Sequence, residues 1–497
     1  MRQILRMVWI LFIPMMLFSQ VVEKKIVTSD ATNSDEFGFT VAVDGDVAVI
    51  GAHRDRPSGS YSGSAYILTR TSGSWSEQQK LLASDTDSYK RFGNAVDISG
   101  SHLIIGAMGD DHSGPATGAA YIFQHENGNW QEKAKLFESN ADRDDEFATA
   151  VAIDGSTVII GVPGDDDETG SAYIYTGNGA NWSEQQILTD ANGAQDDKYG
   201  YAVALEGDLA VVGSPGDKSV FVYERSGSTW TELDRISPTG ISGSAEFGEA
   251  IAISGDYIVV GAAKDSETAS EAGAVFVFKR NGNSWEQVSK ILAADGSAED
   301  EFGVSVSIED NLLAIGARYQ DSAAGDGGAT YIYSRSGENW TEINKITASD
   351  AESDDRFGGA VDLKGDVLVV GAYKDDQPGA DDAGSVYLFS GFGITSIDDE
   401  PGANIKRFQL EQNYPNPFNP STQISYQIDR AGETRLTVYN LLGQAVRTLV
   451  SASQSAGSYS VSWDGLNDTG FAVPSGVYLY RLESGDNVQT RRMIYLR

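Results

Sequence analysis

The chain has 497 residues, with 72 acidic and 36 basic side chains, a formal charge of −36 at pH 7 and no cysteine. This length exceeds one ordinary core and indicates either several domains or one large closed repeat. So acidic a surface repels phosphate backbones and anionic headgroups, which disfavours nucleic-acid and membrane-surface binding. The absence of cysteine excludes disulfides, thiol catalysis and zinc–thiolate sites.

Residues 1–20 have the pattern of a secretory signal peptide. A short basic start, Met1–Arg6, precedes an uninterrupted apolar run, Met7–Phe18, and then Ser19. The run is too short to span a bilayer as a mature helix. No later segment approaches eighteen apolar residues, so we expect an exported, soluble protein without a transmembrane segment.

Residues 21–390 contain an internal repeat. A Phe-Gly dipeptide or a close variant occurs seven times, and successive copies are 55, 55, 52, 48, 55 and 55 residues apart. The copies are Phe37-Gly38, Phe92-Gly93, Phe147-Ala148, Tyr199-Gly200, Phe247-Gly248, Phe302-Gly303 and Phe357-Gly358. A period near 50 residues is typical of propeller and solenoid architectures.

Each repeat predicts four antiparallel strands, which we label a to d. In the first repeat, strands a and b flank the dipeptide Asp44-Gly45, a strong hairpin signal between alternating runs. A variable acidic loop then leads to strand c, Ser64–Leu68, and after a glycine-containing turn to strand d, Trp75–Leu82. Separate sheets would leave many unpaired edges, whereas a ring protects them. The sequence therefore predicts an all-β fold, a seven-bladed β-propeller of four-stranded blades.

The N-terminus is predicted to close this ring. The strand d tryptophan occurs only six times, at Trp75, Trp130, Trp182, Trp230, Trp285 and Trp340, and no such strand follows the seventh repeat. The segment Lys25–Asp30 aligns with Lys80–Asp85 at the end of the first strand d. We therefore expect residues near Lys25 to form the outer strand of the seventh blade.

A second motif, a short apolar run ending in Gly, follows each Phe-Gly. Its copies are Ile50-Gly51-Ala52, Ile105-Gly106-Ala107, Ile160-Gly161-Val162-Pro163, Val212-Gly213-Ser214-Pro215, Val260-Gly261-Ala262, Ile315-Gly316-Ala317 and Val370-Gly371-Ala372. The seven ordered pairs resemble the FG-GAP repeats of the integrin α-subunit propeller and its bacterial relatives. In integrin-type repeats a calcium loop lies between the two motifs.

This chain has only tight turns at the place of that loop. They are predicted at Asp44-Gly45, Ser99-Gly100, Asp154-Gly155, Glu206-Gly207, Ser254-Gly255, Asp310-Asn311 and Lys364-Gly365. Two residues cannot offer the six to eight oxygens that calcium takes. The calcium sites of the family are therefore not carried over.

A change of charge marks a second domain. Residues 406–497 carry nine Lys/Arg and seven Asp/Glu, a net charge of +2, which leaves −38 for residues 1–405. Residues 391–405 are polar and break the repeat, so we interpret them as a linker. Strands are predicted at Gln423–Ile428, Arg435–Tyr439, Ser458–Trp463 and Val477–Leu482. About 90 residues of this kind predict a small Ig-like β-sandwich.

The C-terminal segment resembles a type A sorting domain of the bacterial type IX secretion system. The motif that carries the resemblance is Asn413-Tyr414-Pro415-Asn416-Pro417-Phe418-Asn419-Pro420. Further motifs are Val438–Gly443, Trp463-Asp464-Gly465 and Pro474–Tyr478. The resemblance implies export to the periplasm and then across the outer membrane, with the secretion machinery as partner and the domain removed or used for attachment. An ordinary Ig-like accessory domain is the alternative.

The b–c and d–a loops emerge at one rim of the predicted ring and hold most of its acidic residues. The candidate binding residues of this acidic rim are Asp55, Asp110, Asp111, Asp165, Asp166, Asp217, Asp265, Asp321, Asp375 and Asp376. One interpretation is a carboxylate ring for cations or a basic ligand. The other is that each Asp folds its own loop through bonds to backbone N–H groups. Calcium is a candidate ligand at Asp165, Asp166, Asp375 and Asp376, and no other cofactor is required.

No catalytic motif is present. There are four histidines, and no nucleophile-elbow, zincin or P-loop pattern occurs. His53 and His112 lie in the b–c loops of neighbouring blades and could face the same rim. A hydrolase or lyase function is therefore kept as an alternative. The Phe of each Phe-Gly and the strand d tryptophans are predicted to pack, although an exposed tryptophan could stack on a sugar. We expect a secreted or cell-surface binding and adhesion protein, not an enzyme, with an extracellular protein or glycan ligand. The alternatives are a polymer-degrading enzyme and a purely structural surface protein.

Overall fold

The computed structural model describes residues 22–139, 141–321 and 323–390, and nine shorter stretches of the C-terminal region. These stretches are 409–410, 413, 418, 421–428, 432–440, 444–454, 457–468, 471–484 and 487–495. Contacts between residues divide the chain into two units, residues 1–396 and 397–497. The predicted signal peptide, residues 1–20, and linker, residues 391–405, lie outside the described residues. Within the described residues, no helix has the length and hydropathy needed to cross a bilayer.

The first unit consists of seven four-stranded antiparallel sheets. The latch strand is β1 (Val22–Ile26). Blade 1 is β2 (Thr40–Asp44), β3 (Val47–Ala52), β4 (Ser64–Thr71) and β5 (Ser74–Leu81). Blade 2 is β6 (Val96–Ser99), β7 (His102–Ala107), β8 (Ala119–Glu126) and β9 (Asn129–Leu136). Blade 3 is β10 (Ala150–Asp154), β11 (Thr157–Val162), β12 (Ser171–Asn178) and β13 (Asn181–Leu188), and its b–c loop contains α1 (Asp165–Glu168), a single turn in which Asp166 and Asp167 are left-handed.

The remaining four blades repeat this arrangement. Blade 4 is β14 (Val203–Glu206), β15 (Leu209–Ser214), β16 (Ser219–Ser226) and β17 (Thr229–Ile236). Blade 5 is β18 (Ile251–Ser254), β19 (Tyr257–Ala262), β20 (Ala274–Asn281) and β21 (Ser284–Ile291). Blade 6 is β22 (Ser305–Glu309), β23 (Leu312–Ala317), β24 (Ala329–Ser336) and β25 (Asn339–Ile346). Blade 7 is β26 (Phe357–Lys364), β27 (Val367–Ala372) and β28 (Ser385–Ser390), completed by β1.

The latch closes the ring as predicted. Strand β1 pairs antiparallel with β28, from Val22 opposite Ser390 to Ile26 opposite Val386. Without this pairing the outer edge of β28 would present unpaired N–H and C=O groups. The seven-bladed propeller is thereby confirmed, and its first and last strands belong to one sheet.

The Phe-Gly motif forms the contact between neighbouring blades. Its seven aromatic rings are at most 1% exposed, and each meets an aromatic ring of strand c edge-to-face, as Phe92 meets Tyr121 at 5.4 Å. Burying such a ring contributes about 1.5–3 kcal/mol, and the ring pair adds about 0.5–1.5 kcal/mol. A Cβ at Gly51 would lie 2.0 Å from the carbonyl oxygen of Gly93 in the next blade. Both signature glycines therefore allow adjacent backbones to approach closely, and the structural interpretation of the motif is confirmed.

The first strands of all seven blades line one central cavity of about 500 Å³. The turns that follow these strands differ by one residue from the prediction in six blades. Asp44 still pairs with Val47, so Gly45 and Asp46 form the turn, and only Asp310-Asn311 lies where it was predicted. Asp44 is the last residue of strand a and not the first residue of the turn. Its carboxylate accepts a hydrogen bond from the N–H of Gly100 in the next blade at 2.7 Å, which joins the two blades at this position.

The strand d tryptophans pack at the blade edges. Trp75, Trp130, Trp230 and Trp285 are buried, whereas Trp182 and Trp340 are half-buried. The guanidinium of a strand c arginine lies over several of these rings, as in Arg70 over Trp75 at 5.6 Å. None of the six is fully exposed, which fits the packing role.

The second unit contains two sheets, with strand orders β29-β30-β33 and β32-β31-β34-β35. The strands are β29 (Gln409–Leu410), β30 (Thr422–Ile428), β31 (Gly432–Asn440), β32 (Ala445–Gln454), β33 (Gly457–Trp463), β34 (Gly476–Ser484) and β35 (Asn487–Tyr495). The four predicted strands are present, and β29, β32 and β35 are additional. Trp463, Tyr480 and Leu436 are fully buried in one shared core, as a sandwich of two sheets requires.

Candidate functional site

The predicted acidic rim is composed of two kinds of carboxylate. Asp55, Asp110, Asp165, Asp265 and Asp375 are buried, with exposures between 0% and 9%, and Asp217 is half-buried. Asp111, Asp166, Asp321 and Asp376 are exposed. In blade 6 the buried position is held by Gln320 instead, and the acidic residue, Asp321, follows one position later. The ten candidates therefore do not form one surface ring.

A cation from strand d neutralises the buried carboxylate in most blades. The ammonium of Lys80 lies 2.6 Å from Asp55, and equivalent ion pairs join Lys135 to Asp110, Arg235 to Asp217, Lys290 to Asp265 and Lys25 to Asp375. Burial alone would lower the pKa of Lys80, but hydrogen bonds to Asp30 and Asp55 raise it overall. In blade 2, burial opposes ionisation of Asp110, yet Lys90 and Lys135 hold the pKa of that carboxyl below its usual value. These ion pairs neutralise the loop carboxylates and so stabilise the b–c loops that contain them.

Three of the exposed carboxylates fold their own loops. Asp111 accepts the N–H of Ala116 at 2.8 Å, and Asp321 and Asp376 accept backbone N–H groups five and six residues further on. This is the loop-folding role that the sequence left open beside the binding role. The fourth, Asp166, adopts a left-handed conformation with φ 49°.

The two predicted calcium positions have different surroundings. In blade 7, Lys25 lies 2.8 Å from Asp375, so an ammonium already faces that carboxylate. In blade 3, Asp165 lies with Glu138 and Asp145, and one oxygen from each falls within 4.8 Å of the others. Burial, followed by the adjacent Asp145 carboxyl, raises the pKa of Glu138 to about 9, and burial raises the pKa of Asp165. We call Glu138, Asp145 and Asp165 the blade 3 triad.

A cleft at the same rim was not predicted. A cavity of about 640 Å³ is lined by Lys198, Tyr201, Glu246, Glu249, Lys264 and Arg318, among others. Lys264 pairs with Glu246 at 2.5 Å, and Arg318 pairs with Glu301 at 2.7 Å. Burial and then the adjacent Glu246 raise the pKa of Glu249 to about 8, so this carboxyl is largely protonated at pH 7. We call this site the mixed-charge cleft.

One sequence signal could have located the cleft. The residue before the Phe-Gly element is charged in all seven blades: Glu36, Arg91, Glu146, Lys198, Glu246, Glu301 and Arg356. All seven adopt left-handed backbone conformations with φ between 53° and 63°, which ordinary side chains rarely do. A charge at this position in every repeat sets the electrostatics of the rim, and three of the seven line or flank the cleft.

The histidines do not form a catalytic group in the described residues. His53 is buried against Phe39, with ring centroids 3.9 Å apart, and burial lowers its pKa to about 3. His112 packs on Phe137 at 3.8 Å. His102 begins β7, and His125 packs on Trp130 in blade 2. Each ring makes an aromatic contact, and His53 Nε2 also lies 3.6 Å from the Glu36 carboxylate.

Only two residues of the predicted sorting motif, Asn413 and Phe418, are described. The N–H of Asn413 donates to the Tyr480 hydroxyl at 2.8 Å, and Phe418 stacks on Tyr495 at 4.9 Å in the core of the second unit. Tyr414 to Pro417, Asn419 and Pro420 lie outside the described residues. The two described residues therefore have structural contacts within the domain.

Comparison with protein families supports the repeat and qualifies the second unit. Residues 21–68, 75–123, 130–175, 182–229, 230–278, 285–333 and 340–389 match the model described as FG-GAP repeat. Residues 418–487 match a different model, the FlgD Ig-like domain. No curated protein shows a significant match to the chain. The match supports the Ig-like sandwich predicted for the second unit. It gives no evidence for a sorting function of that unit.

Several solved structures align with this chain at low similarity. A periplasmic gluconolactonase of Pseudomonas aeruginosa is 12% identical and aligns over 84% of this chain and 98% of its own, with TM-score 0.44. The WD40 domain of Toxoplasma gondii coronin is 10% identical over 75% and 87%, with TM-score 0.45. A fungal alcohol oxidase in complex with copper is 10% identical over 95% and 99%, with TM-score 0.46. At these values the likeness carries no argument about activity.

Proposed function

The chain belongs to the FG-GAP repeat family, and from this premise we propose that it is an extracellular binding or adhesion protein whose ligand docks at the loop rim. The ligand is an extracellular protein or glycan. The observation that supports this proposal best is the mixed-charge cleft, a rim cavity of about 640 Å³ lined by side chains of both signs. Concave sites with a few convergent polar groups are the usual places for ligands.

The distribution of charge favours the cleft over the predicted carboxylate ring. Most buried rim carboxylates already face a lysine or arginine of their own blade. In the cleft, Lys264 and Arg318 are only about one-third exposed at the side chain, and both lie beside glutamates. A ligand with hydroxyl or amide groups can donate to these glutamates and accept from these cations without displacing either partner of an ion pair. A glycan or a polar protein loop carries such groups.

Binding can be tested with the full chain on glycan and matrix-protein arrays, followed by affinity measurement for each positive ligand. We expect Lys264→Ala with Lys198→Ala to weaken binding at least tenfold. Lys279→Ala is the matched control, because Lys279 pairs with exposed Glu338 outside the cleft. Equal affinities for the double variant and the control would contradict docking at the cleft. An absence of any ligand would favour the purely structural alternative.

We also propose that the protein reaches the cell exterior through a signal peptide and the type IX system. The Asn413–Pro420 motif and its likeness to type A sorting domains support this route. Truncation after Ala403 should leave a folded propeller in the periplasm. Normal amounts of the truncated chain in the medium or on the cell surface would contradict the route, whatever the ligand.

A second candidate function is an extracellular lyase or hydrolase, and Glu249 is the observation that favours it. A carboxyl with pKa about 8 in a cleft is protonated at neutral pH and has the state required of a general acid. A screen against extracellular polysaccharides tests this candidate. Activity that Glu249→Gln abolishes, while binding persists, would favour the enzyme over the binding protein.

A further inference from the structure

The blade 3 triad differs from the equivalent site in every other blade by its balance of charge. Strand d of blade 3 has Ile187 opposite Tyr173. At the same register, Lys80 lies opposite Tyr66 in blade 1 and Lys135 lies opposite Tyr121 in blade 2. Lys290, Lys345, Arg235 and Lys25 hold this register position in the remaining blades. Blade 3 alone has an apolar residue where the others place a cation.

The same site in blade 3 also has an additional acid. The positions equivalent to Glu138 are Thr28, Ala83, Asp190, Pro238, Ala293 and Ala348. The other acid in this set, Asp190, lies 3.4 Å from the guanidinium of Arg235. Blade 3 therefore combines one more carboxylate with one fewer cation, and three acids meet without a basic side chain of their own blade.

One buried carboxyl at the triad has no hydrogen bond of ordinary geometry within the described part of the chain. Glu138 is 2% exposed, and neither of its carboxylate oxygens makes such a bond. The Tyr173 hydroxyl beside Glu138 and the Ser171 hydroxyl beside Asp165 each act to lower the pKa of the neighbouring carboxyl, and the equivalent Ser64 donates to Asp55 at 2.6 Å. Buried polar atoms are normally satisfied, so three gathered carboxyls that have only neutral hydroxyls beside them and no cation of their own blade point to a bound cation.

We propose that the blade 3 triad binds a divalent cation, with calcium as the best match. Glu138, Asp145 and Asp165 each offer one oxygen within 4.8 Å of the others. Hard carboxylate oxygens suit calcium, which completes its shell with backbone carbonyls, hydroxyls and water. The cation takes the electrostatic role of the strand d lysine of the other blades. Exposed Asp166, paired with Asp165 in the sequence-based expectation, is not one of the three ligands, and the site is separate from the mixed-charge cleft.

The test measures calcium-dependent melting and calorimetric titration of the EDTA-treated full chain. We expect one calcium per chain and a melting temperature that rises by about 2–5 °C at a hundredfold excess over Kd, because the cation binds only the folded state. Glu138→Gln should reduce the rise by more than half. Asp376→Asn, which changes an exposed rim carboxylate of blade 7, should keep it.

Ile187→Lys is the second variant and should fold, since Ile187 is 39% exposed on a strand surface. It installs the lysine of the other blades, so we expect a higher melting temperature without calcium and no further rise with it. The proposal is overturned if the parent shows no calcium-dependent rise. It is also overturned if Glu138→Gln and Ile187→Lys both retain the full rise, since calcium would then bind elsewhere.

Discussion

Lys25 connects the latch strand to two carboxylates of blade 7, and Lys25→Met should destabilise the propeller. Its ammonium lies 2.8 Å from both Asp350 and Asp375. The side chain of Asp375 is 4% exposed, that of Lys25 is 27% exposed and that of Asp350 is 50% exposed. Methionine has an unbranched side chain of similar length to lysine but carries no charge. The substitution therefore leaves the buried Asp375 carboxylate without its cation.

The magnitude follows from these exposures. Removing one partner of a fully buried pair costs about 3–5 kcal/mol, and an exposed pair contributes about 0.2–1 kcal/mol. Because Asp375 is buried but Lys25 reaches solvent, we expect a loss of about 2 kcal/mol in the free energy of unfolding. Lys25→Met with Asp375→Asn should lose less than the sum of the two single variants.

The loss should depend on pH. Burial alone would lower the pKa of Lys25, but hydrogen bonds to Asp350 and Asp375 raise it overall in the folded chain. Its stabilisation is therefore complete below the ordinary value of about 10.5 and is lost as the pH rises through the folded pKa. The pKa of Asp350 is lowered, against the effect of burial, by hydrogen bonds from Lys25 and Tyr387. The contribution of Asp350 is thus present above about 3.8 and is lost as the pH falls through its folded pKa.

Denaturant unfolding of the full chain at pH 7 is the assay, followed by tryptophan fluorescence, and Lys24→Met is the matched control. Lys24 is the exposed neighbour on the same strand and should change the midpoint little. Equal losses for the two lysine variants, or a loss for Lys25→Met that is the same at pH 7 and pH 11, would refute the ion-pair argument.

Three further predictions concern closure, blade contacts and the cleft. Deletion of residues 22–29 should lower the melting temperature and promote association, since it exposes the edge of the last strand of blade 7; an unchanged, monomeric chain in light scattering would contradict the latch. Gly51→Ala should destabilise strongly because its Cβ would meet a carbonyl oxygen at 2.0 Å, whereas Gly325→Ala, with no heavy atom nearer than 3.7 Å, should be nearly neutral in thermal melts. Glu249→Gln should stabilise increasingly as the pH rises from about 5 to 8, because a folded pKa near 8 makes the parent lose stability through that window; parallel stability curves for both chains would contradict this.

The architecture could be predicted because its signals are local and repeated. Alternation with period two predicts strands, a glycine after strand a in six of the seven repeats predicts the hairpin, and the recurrence of the motif every 48–55 residues predicts the number of blades. The latch strand could be predicted because the chain has seven Phe-Gly elements but only six strand d tryptophans, so one outer strand had to come from elsewhere in the chain. These features depend on residues close together in the chain, and the repeat supplied seven independent examples of each.

The candidate site was harder to predict because burial of a carboxylate depends on its neighbours in space. Asp110 and Asp165 hold the same place in the repeat, and both are followed by further acids. Asp110 meets Lys135, which lies 25 residues further along the chain, whereas Asp165 meets Glu138 and Asp145. The difference between an internal ion pair and an acidic cluster arises from Ile187 on a strand of blade 3 and from Glu138 in the loop that precedes this blade, which the fold brings together.

The sequence by itself determined the four-stranded repeat, its seven copies, the closing strand and the second β unit. Hydrophobic periodicity and turn chemistry act over a few residues, so they can be identified without coordinates. Only the tertiary structure decided which rim carboxylates are neutralised and where the charges of neighbouring blades converge in the cleft. The physical reason is that electrostatic energy depends on distance and burial, and both are set by packing between strands that are remote in sequence.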